Sequence, residues 1–282
     1  MAQTSLKDYR RGNCVCTGAV TQVFRGENTL LEIPVAMKMP LGNLRQDSRT
    51  IAMLHREFAV GEEIRHPKIV KMIDLVCENG QTILVSEWLT GRPLTEILRE
   101  GLDSSAWRVP QIVQDMTEAV CFFNSIGWVH QTLSPDVFMV LEETNETKMI
   151  EFQFVRSTRG LRACFRRPDR ISNPGRCPSP EVIRGEKTDS RSDAYSLACI
   201  FFEMVTGVPP YPGPTFNQLI HQHLNLPVPS ADAVNPNVTP EFAKLLRRTM
   251  AKQPTERPAS MTEFQNTLKE IRIFKRQPQR PQ

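Results

Sequence analysis

Hydrophobic positions change their rhythm along the chain. In the first ninety positions, apolar and β-branched residues gather in short runs at 15–24, 33–39, 72–77 and 82–88, separated by Arg25-Gly26-Glu27-Asn28 and Glu78-Asn79-Gly80. Runs of this length bounded by turn residues predict strands. One helix interrupts them, because Ile51, Leu54 and Phe58 recur at helical spacing behind the capping candidates Asp47 and Ser48. Beyond Gly91 the spacing is helical. Val109, Ile112, Val113, Met116, Val120 and Phe123 share one face, and the apolar stretch 195–205 contains Glu203 and stops at Gly207, Pro209 and Pro210. That stretch predicts a buried helix with a hard stop. Thr239-Pro240 predicts a capped helix start with proline at the first helical position. Ser260 and Glu263 predict a capping box before Met261, Phe264, Leu268 and Ile271. From Lys275 the tail is basic, alternates Gln and Pro, and is expected to be disordered. The reading is an α+β chain: a small β-rich lobe with one main helix over 1–86, a connection at 87–91, a larger mostly helical lobe over 92–273, and a basic tail at 274–282.

Composition narrows the classes. Of 282 residues, 40% are hydrophobic and 23% charged, which excludes a disordered chain. A net charge of +4 is too mild to indicate nucleic acid or a membrane surface as a partner. No apolar run reaches the length of a membrane-spanning helix. The seven cysteines, without an apolar leader, are expected to be reduced thiols in the cytoplasm. Cys14 and Cys16 are the one close pair, and no His or second Cys pair stands at zinc-ligand spacing.

Five motifs follow one another in order. They are Val35-Ala36-Met37-Lys38 with Glu57 nineteen residues on, His66-Pro67, Ser179-Pro180-Glu181, Asp193-Ala194-Tyr195-Ser196-Leu197, and Pro254-Thr255-Glu256-Arg257-Pro258. In this order and at these separations the chain resembles the protein-kinase family from about Tyr9 to Ile273. The Ser-Pro-Glu variant and the compact ending are most similar to bacterial serine/threonine kinases. The resemblance implies the two-lobe kinase fold, a Lys38–Glu57 pair and a buried Glu181–Arg257 pair, with Asp193 and Phe152 holding segments together. It implies nucleotide-binding candidates at Gly18, Val23, Lys38, Glu57, Glu87 and Leu89, a hinge over 87–89 and a small gatekeeper at Ser86.

The motifs that carry chemistry depart from the family pattern. Its His-Arg-Asp-Leu-Lys-Pro-x-Asn loop reads His130-Gln131-Thr132-Leu133-Ser134-Pro135-Asp136-Val137. Thr132 replaces the aspartate that accepts the substrate proton, Ser134 the lysine that neutralises the moving phosphate, and Val137 the asparagine that holds magnesium. Asp136 is in the wrong register for the base, and His130 is expected to hydrogen-bond backbone. Asp-Phe-Gly reads Glu151-Phe152-Gln153, so Glu151 is a candidate for a single metal. The glycine-rich loop reads Cys16-Thr17-Gly18-Ala19-Val20-Thr21-Gln22-Val23, with Gly18 alone surviving, and Asn173-Pro174-Gly175 lacks the family's Gly-Thr. Losing a general base costs about 10²–10⁴ in rate. The expectation is a catalytically impaired or dead kinase fold, a pseudokinase, acting as a signalling or scaffold module through protein binding. It requires no cofactor, and ATP with magnesium is expected to bind weakly or not at all. The alternatives are a weakly active ATP-dependent serine/threonine kinase and a kinase-fold transferase of another chemistry. Arg156, Arg159, Arg162, Arg166, Arg167, Arg170 and Arg176 face only Asp169 in sequence. They read either as a solvated face or, through Arg162, Arg166 and Arg167, as a dock for an acidic or phosphorylated protein.

Overall fold

A computed structural model describes residues 5–159 and 175–280. The chain forms two compact units, one of residues 1–90 with 150–153, the other of residues 91–149 with 154–282. The division therefore falls after Thr90, and four later residues return to the first unit.

The first unit is built on β1 (Tyr9–Thr17), β2 (Thr21–Asn28), β3 (Ile33–Pro40), α1 (Ser48–Gly61), β4 (Met72–Glu78) and β5 (Gln81–Glu87). The strands form one antiparallel sheet in the order β1-β2-β3-β5-β4. The apolar run at 15–24 is thus not one strand but the end of β1, a turn and the start of β2. The turn expected at 25–28 lies inside β2. Gly26 leaves room for packing: a Cβ on it would run into the Met37 side chain and the Arg10 carbonyl. The chain reverses after β2, where Asn28 Oδ1 accepts from the amides of Leu30 and Leu31. Asn79 and Gly80, both at positive φ, close the β4–β5 hairpin as a two-residue loop. Tyr9, Val35, Met37, Met39, Val76, Ile83 and Val85 form the core on one face. α1 starts at Asp47, whose carboxylate accepts from Thr50 N–H at 2.8 Å.

The second unit comprises β6 (Gly91–Pro93), α2 (Leu94–Arg99), α3 (Leu102–Ser105), α4 (Val109–Ser125), β7 (Trp128–Val129), β8 (Phe138–Leu141), β9 (Thr147–Met149), β10 (Arg156–Ser157), α5 (Pro180–Arg184), α6 (Ser190–Thr206), α7 (Phe216–Asn225), α8 (Ala231–Val234), α9 (Pro240–Thr249) and α10 (Met261–Glu270). β6, β8 and β9 form one small sheet, and β7 pairs with β10. α6 is the buried helix expected at 195–205. Asp189 and Ser192 cap its start, and Gly207, at φ +77°, ends it.

Thr239 caps α9 as expected. At α10 the capping box is only half made: Ser260 accepts from Glu263 N–H, while the Glu263 carboxylate reaches Ala259 N–H instead of Ser260. Over its described residues, 274–280, the tail is tied down by contacts where the sequence predicts free chain. Phe274 is buried and bridges to Val238, Asn237 exchanges hydrogen bonds with Arg276, and the Arg280 guanidinium lies 5.2 Å from the Trp107 ring centre. The apolar Phe274 anchors what charge and proline content alone read as free chain. Among the described residues no helix is long and apolar enough to cross a membrane.

Candidate functional site

In the first unit, β-sheet register places Val23 opposite Lys38. Lys38 Nζ donates to both oxygens of Glu57, at 3.1 and 2.9 Å, and to Glu151 Oε1 at 3.0 Å. Glu57 lies one turn from Leu54 on the buried face of α1 and is itself buried. Its Oε1 also accepts from Phe152 N–H at 3.3 Å, and the Phe152 ring is buried. Burial alone would lower the pKa of Lys38, but Glu57 and Glu151 outweigh it and hold the ammonium above its ordinary value. For Glu57, burial pushes the carboxyl up against the pull of Lys38. A strand, a helix and the segment 150–153 thus meet at one ammonium. Glu151 also accepts a hydrogen bond from the Gln153 carboxamide.

The other nucleotide candidates lie elsewhere in this unit. Gly18 is in the β1–β2 turn, and its N–H donates to Thr21 O at 2.8 Å. Glu87 ends β5, where its N–H and carboxylate both bond the backbone of Lys71. Ser86 pairs with Ala36, and Leu89 is half-buried just past the strand.

In the second unit, Asp193 of α6 organises the loop after β7. It accepts from the backbone N–H of His130 at 2.9 Å, from that of Gln131 at 2.9 Å, and from Asn124 Nδ2 at 2.8 Å. Burial raises the pKa of Asp193, and His130 with these donors pulls it back. Gln131 adopts φ +70°; its carboxamide donates to Phe154 O at 2.7 Å and accepts from the Thr188 hydroxyl at 3.3 Å. The Thr132 hydroxyl lies 3.5 Å from His130 Nδ1. Ser134 and Val137 are buried, whereas Asp136 is exposed and accepts from the Thr95 hydroxyl at 2.5 Å.

Glu181 and Arg257 form the expected buried pair, with two parallel bonds of 2.7 and 2.9 Å. Arg257 also donates to the carbonyls of Ala251, Arg191 and Lys252. Burial raises the Glu181 carboxyl, but the guanidinium more than offsets it and leaves the group below its usual range.

Arg176 departs from the expectation of an unopposed arginine run. It donates to the buried Glu203 of α6 at 2.8 Å, a partner 27 residues away that local charge counting does not reach. Arg162, Arg166 and Arg167 lie outside the described residues. Sequence reasoning also passed over three linking side chains. Gln131 stands where the family pattern has arginine, a signal that was available. The Gln153–Glu151 and Thr95–Asp136 contacts had no signal in spacing. Among the described residues, no three His, Cys, Asp or Glu side chains converge as a metal-ligand set.

A five-stranded lobe with one long helix, a helical lobe, a strand lysine paired to that helix, and a buried Glu–Arg clasp define the protein-kinase class. The family model for the protein kinase domain matches residues 9–268, and this chain belongs to that family. It is similar to the serine/threonine-protein kinase pkn3 of Myxococcus xanthus, 27% identical over 279 residues, which cover 96% of this chain and 51% of that protein. It is also similar to the serine/threonine-protein kinase PknB of Mycolicibacterium smegmatis, 28% identical over 274 residues, covering 95% of this chain and 43% of that protein. The probable serine/threonine-protein kinase PknB of Bifidobacterium longum is 25% identical over 269 residues, covering 92% and 39% respectively. The chain therefore spans about half or less of the length of these relatives.

Proposed function

We propose that this kinase domain does not transfer phosphoryl groups and serves as a signalling or scaffold module that binds protein. The observation that carries this reading is Thr132. A neutral hydroxyl beside an imidazole stands where the family pattern has a carboxylate base, and it cannot accept a proton near pH 7. Asp136, the acid nearest in sequence, is bound to Thr95 and does not replace it. Ser134 brings no positive charge to the moving phosphate.

The family implies ATP with magnesium, and these residues do not fit that pair well. Val137 is a buried alkyl group without a ligand atom. The Gly18 amide is already bonded to Thr21 O, so this part of the loop does not offer itself to phosphate. The reading therefore needs no cofactor and places any nucleotide binding at the weak end. The partner it favours is an acidic or phosphorylated protein segment, met by the arginine run in the cytoplasm.

A weakly active serine/threonine kinase is the second reading, favoured by the intact Lys38–Glu57 pair and the Glu151 carboxylate. Labelled ATP with magnesium or manganese and generic protein substrates decides between them. The expected result is no incorporation above that of a Lys38→Ala variant. Incorporation that disappears in Lys38→Ala would overturn the proposal in favour of the weak kinase, and mass spectrometry of a modified protein would reveal any other transfer.

A further inference from the structure

We infer that the Gln153 carboxamide is a built-in substitute for a cation at Glu151, and that with Lys38 it competes with divalent metal ions for this carboxylate. The residue at 153 reaches back two positions, and its amide donates to Glu151 Oε1. The same oxygen accepts from Lys38 Nζ at 3.0 Å. Lys38 is not free to leave, because both oxygens of the buried Glu57 hold it. Glu57 is in turn fixed by the amide of Phe152, the residue between Glu151 and Gln153. The segment thus closes on itself: backbone at 152 anchors the acid that anchors the lysine, and side chains at 151 and 153 meet. Lys38, Glu57 and Glu151 together carry one more negative than positive charge, and the amide dipole adds to the compensation. The two donors compete directly with a metal ion for this oxygen and draw negative charge from the carboxylate as a whole, so its hold on a metal is weakened while they stay. The glycine of the family pattern offers no side chain to do this. The inference concerns the same site as the proposed function but does not require it. Phosphoryl transfer is read with labelled ATP, this one with metal alone.

Manganese is the probe. Free Mn²⁺ is followed by electron paramagnetic resonance during titration of the whole chain, without nucleotide, in the wild type, Gln153→Ala, and Gln153→Met, which keeps the length but not the donor. Both variants should bind Mn²⁺ on the order of tenfold more tightly than wild type, since one charge-assisted hydrogen bond no longer competes. Adding Glu151→Gln to Gln153→Ala should remove the gain. Melting temperatures matched to wild type establish that each protein is folded. Equal Mn²⁺ affinity in wild type and both variants, whether tight or weak, overturns the inference. So does a gain in Gln153→Ala that Gln153→Met lacks, because the donor would then not be the cause.

Discussion

Glu181 and Arg257 are joined from positions 76 residues apart, and each is nearly shielded from water. Two charges in that position are tolerated because the guanidinium fork fits the carboxylate and spends its remaining donors on three carbonyls. Such a pair need not add net stability, but breaking it strands a charge. Glu181→Ala should therefore destabilise the second unit by roughly 3–5 kcal/mol. Adding Arg257→Ala should recover part of that loss, since no charge is then left without its counter-ion. Urea unfolding of the two single variants and the double variant measures the coupling. A Glu181→Ala protein as stable as wild type would contradict the burial argument. The pair was legible in sequence only through the order of motifs, because neither residue carries a local sign of its partner. Arg176 shows the limit of the same reasoning: its neighbours suggested a solvated run, and only the fold brings Glu203 to it.

At the scale of elements, α7 shows how one polar side chain docks a helix. Its one fully buried residue is His223, while Leu219, Ile220 and Leu224 are half-buried. His223 Nε2 lies 3.3 Å from Arg176 O, which can only accept, so Nε2 carries the proton. Nδ1 then accepts from the Tyr195 hydroxyl of α6 at 2.9 Å. A second proton on the ring would displace that donor. Burial and the nearby Lys252 ammonium push the imidazole down to about 4, from 6.5. A depressed histidine contributes stability that is fully present above pH 6.5 and is lost as pH falls toward 4, because the unfolded chain takes up the proton first. The loss over that window is about 3 kcal/mol. His223→Gln should be less stable than wild type at pH 7 yet lose about 3 kcal/mol less between pH 7 and pH 4. Urea unfolding at several pH values tests this, and parallel pH curves for the two proteins would refute it.

Element boundaries were legible where capping chemistry is local, as at Asp47, Thr239 and Gly207. They were misread where packing decides. Gly26 has the composition of a turn but lies within β2, paired with Arg11 and Val35, where a side chain would run into Met37. Phe274 sits in a basic, proline-rich tail but is buried against the start of α9.

Over the whole molecule, what matches the family is what holds each lobe together, and what departs from it lies at the chemical positions. Lys38–Glu57, Asp193 and Glu181–Arg257 are made in full. Thr132, Ser134, Val137 and Gln153 stand where the family pattern has charge, ligand or glycine. That split was legible in the sequence. What the spared scaffold contacts was not, because a binding surface has no fixed spacing. The arginine run is the strongest charge feature along the chain, in a molecule whose net charge is only +4. Guanidinium groups stay ionised at any physiological pH and pair bidentately with carboxylates and phosphates. If Arg162, Arg166 and Arg167 dock an anionic protein segment, affinity should fall steeply with salt, as the Debye length shrinks from about 10 Å at 0.1 M to about 3 Å at 1 M. Fluorescent peptides rich in glutamate or phosphoserine serve as probes. Wild type should bind them at 0.1 M salt and release them toward 1 M. The triple change of these arginines to glutamine should remove binding while leaving the melting temperature nearly unchanged. Retention of the peptides by the triple variant at low salt would move the docking surface off this segment.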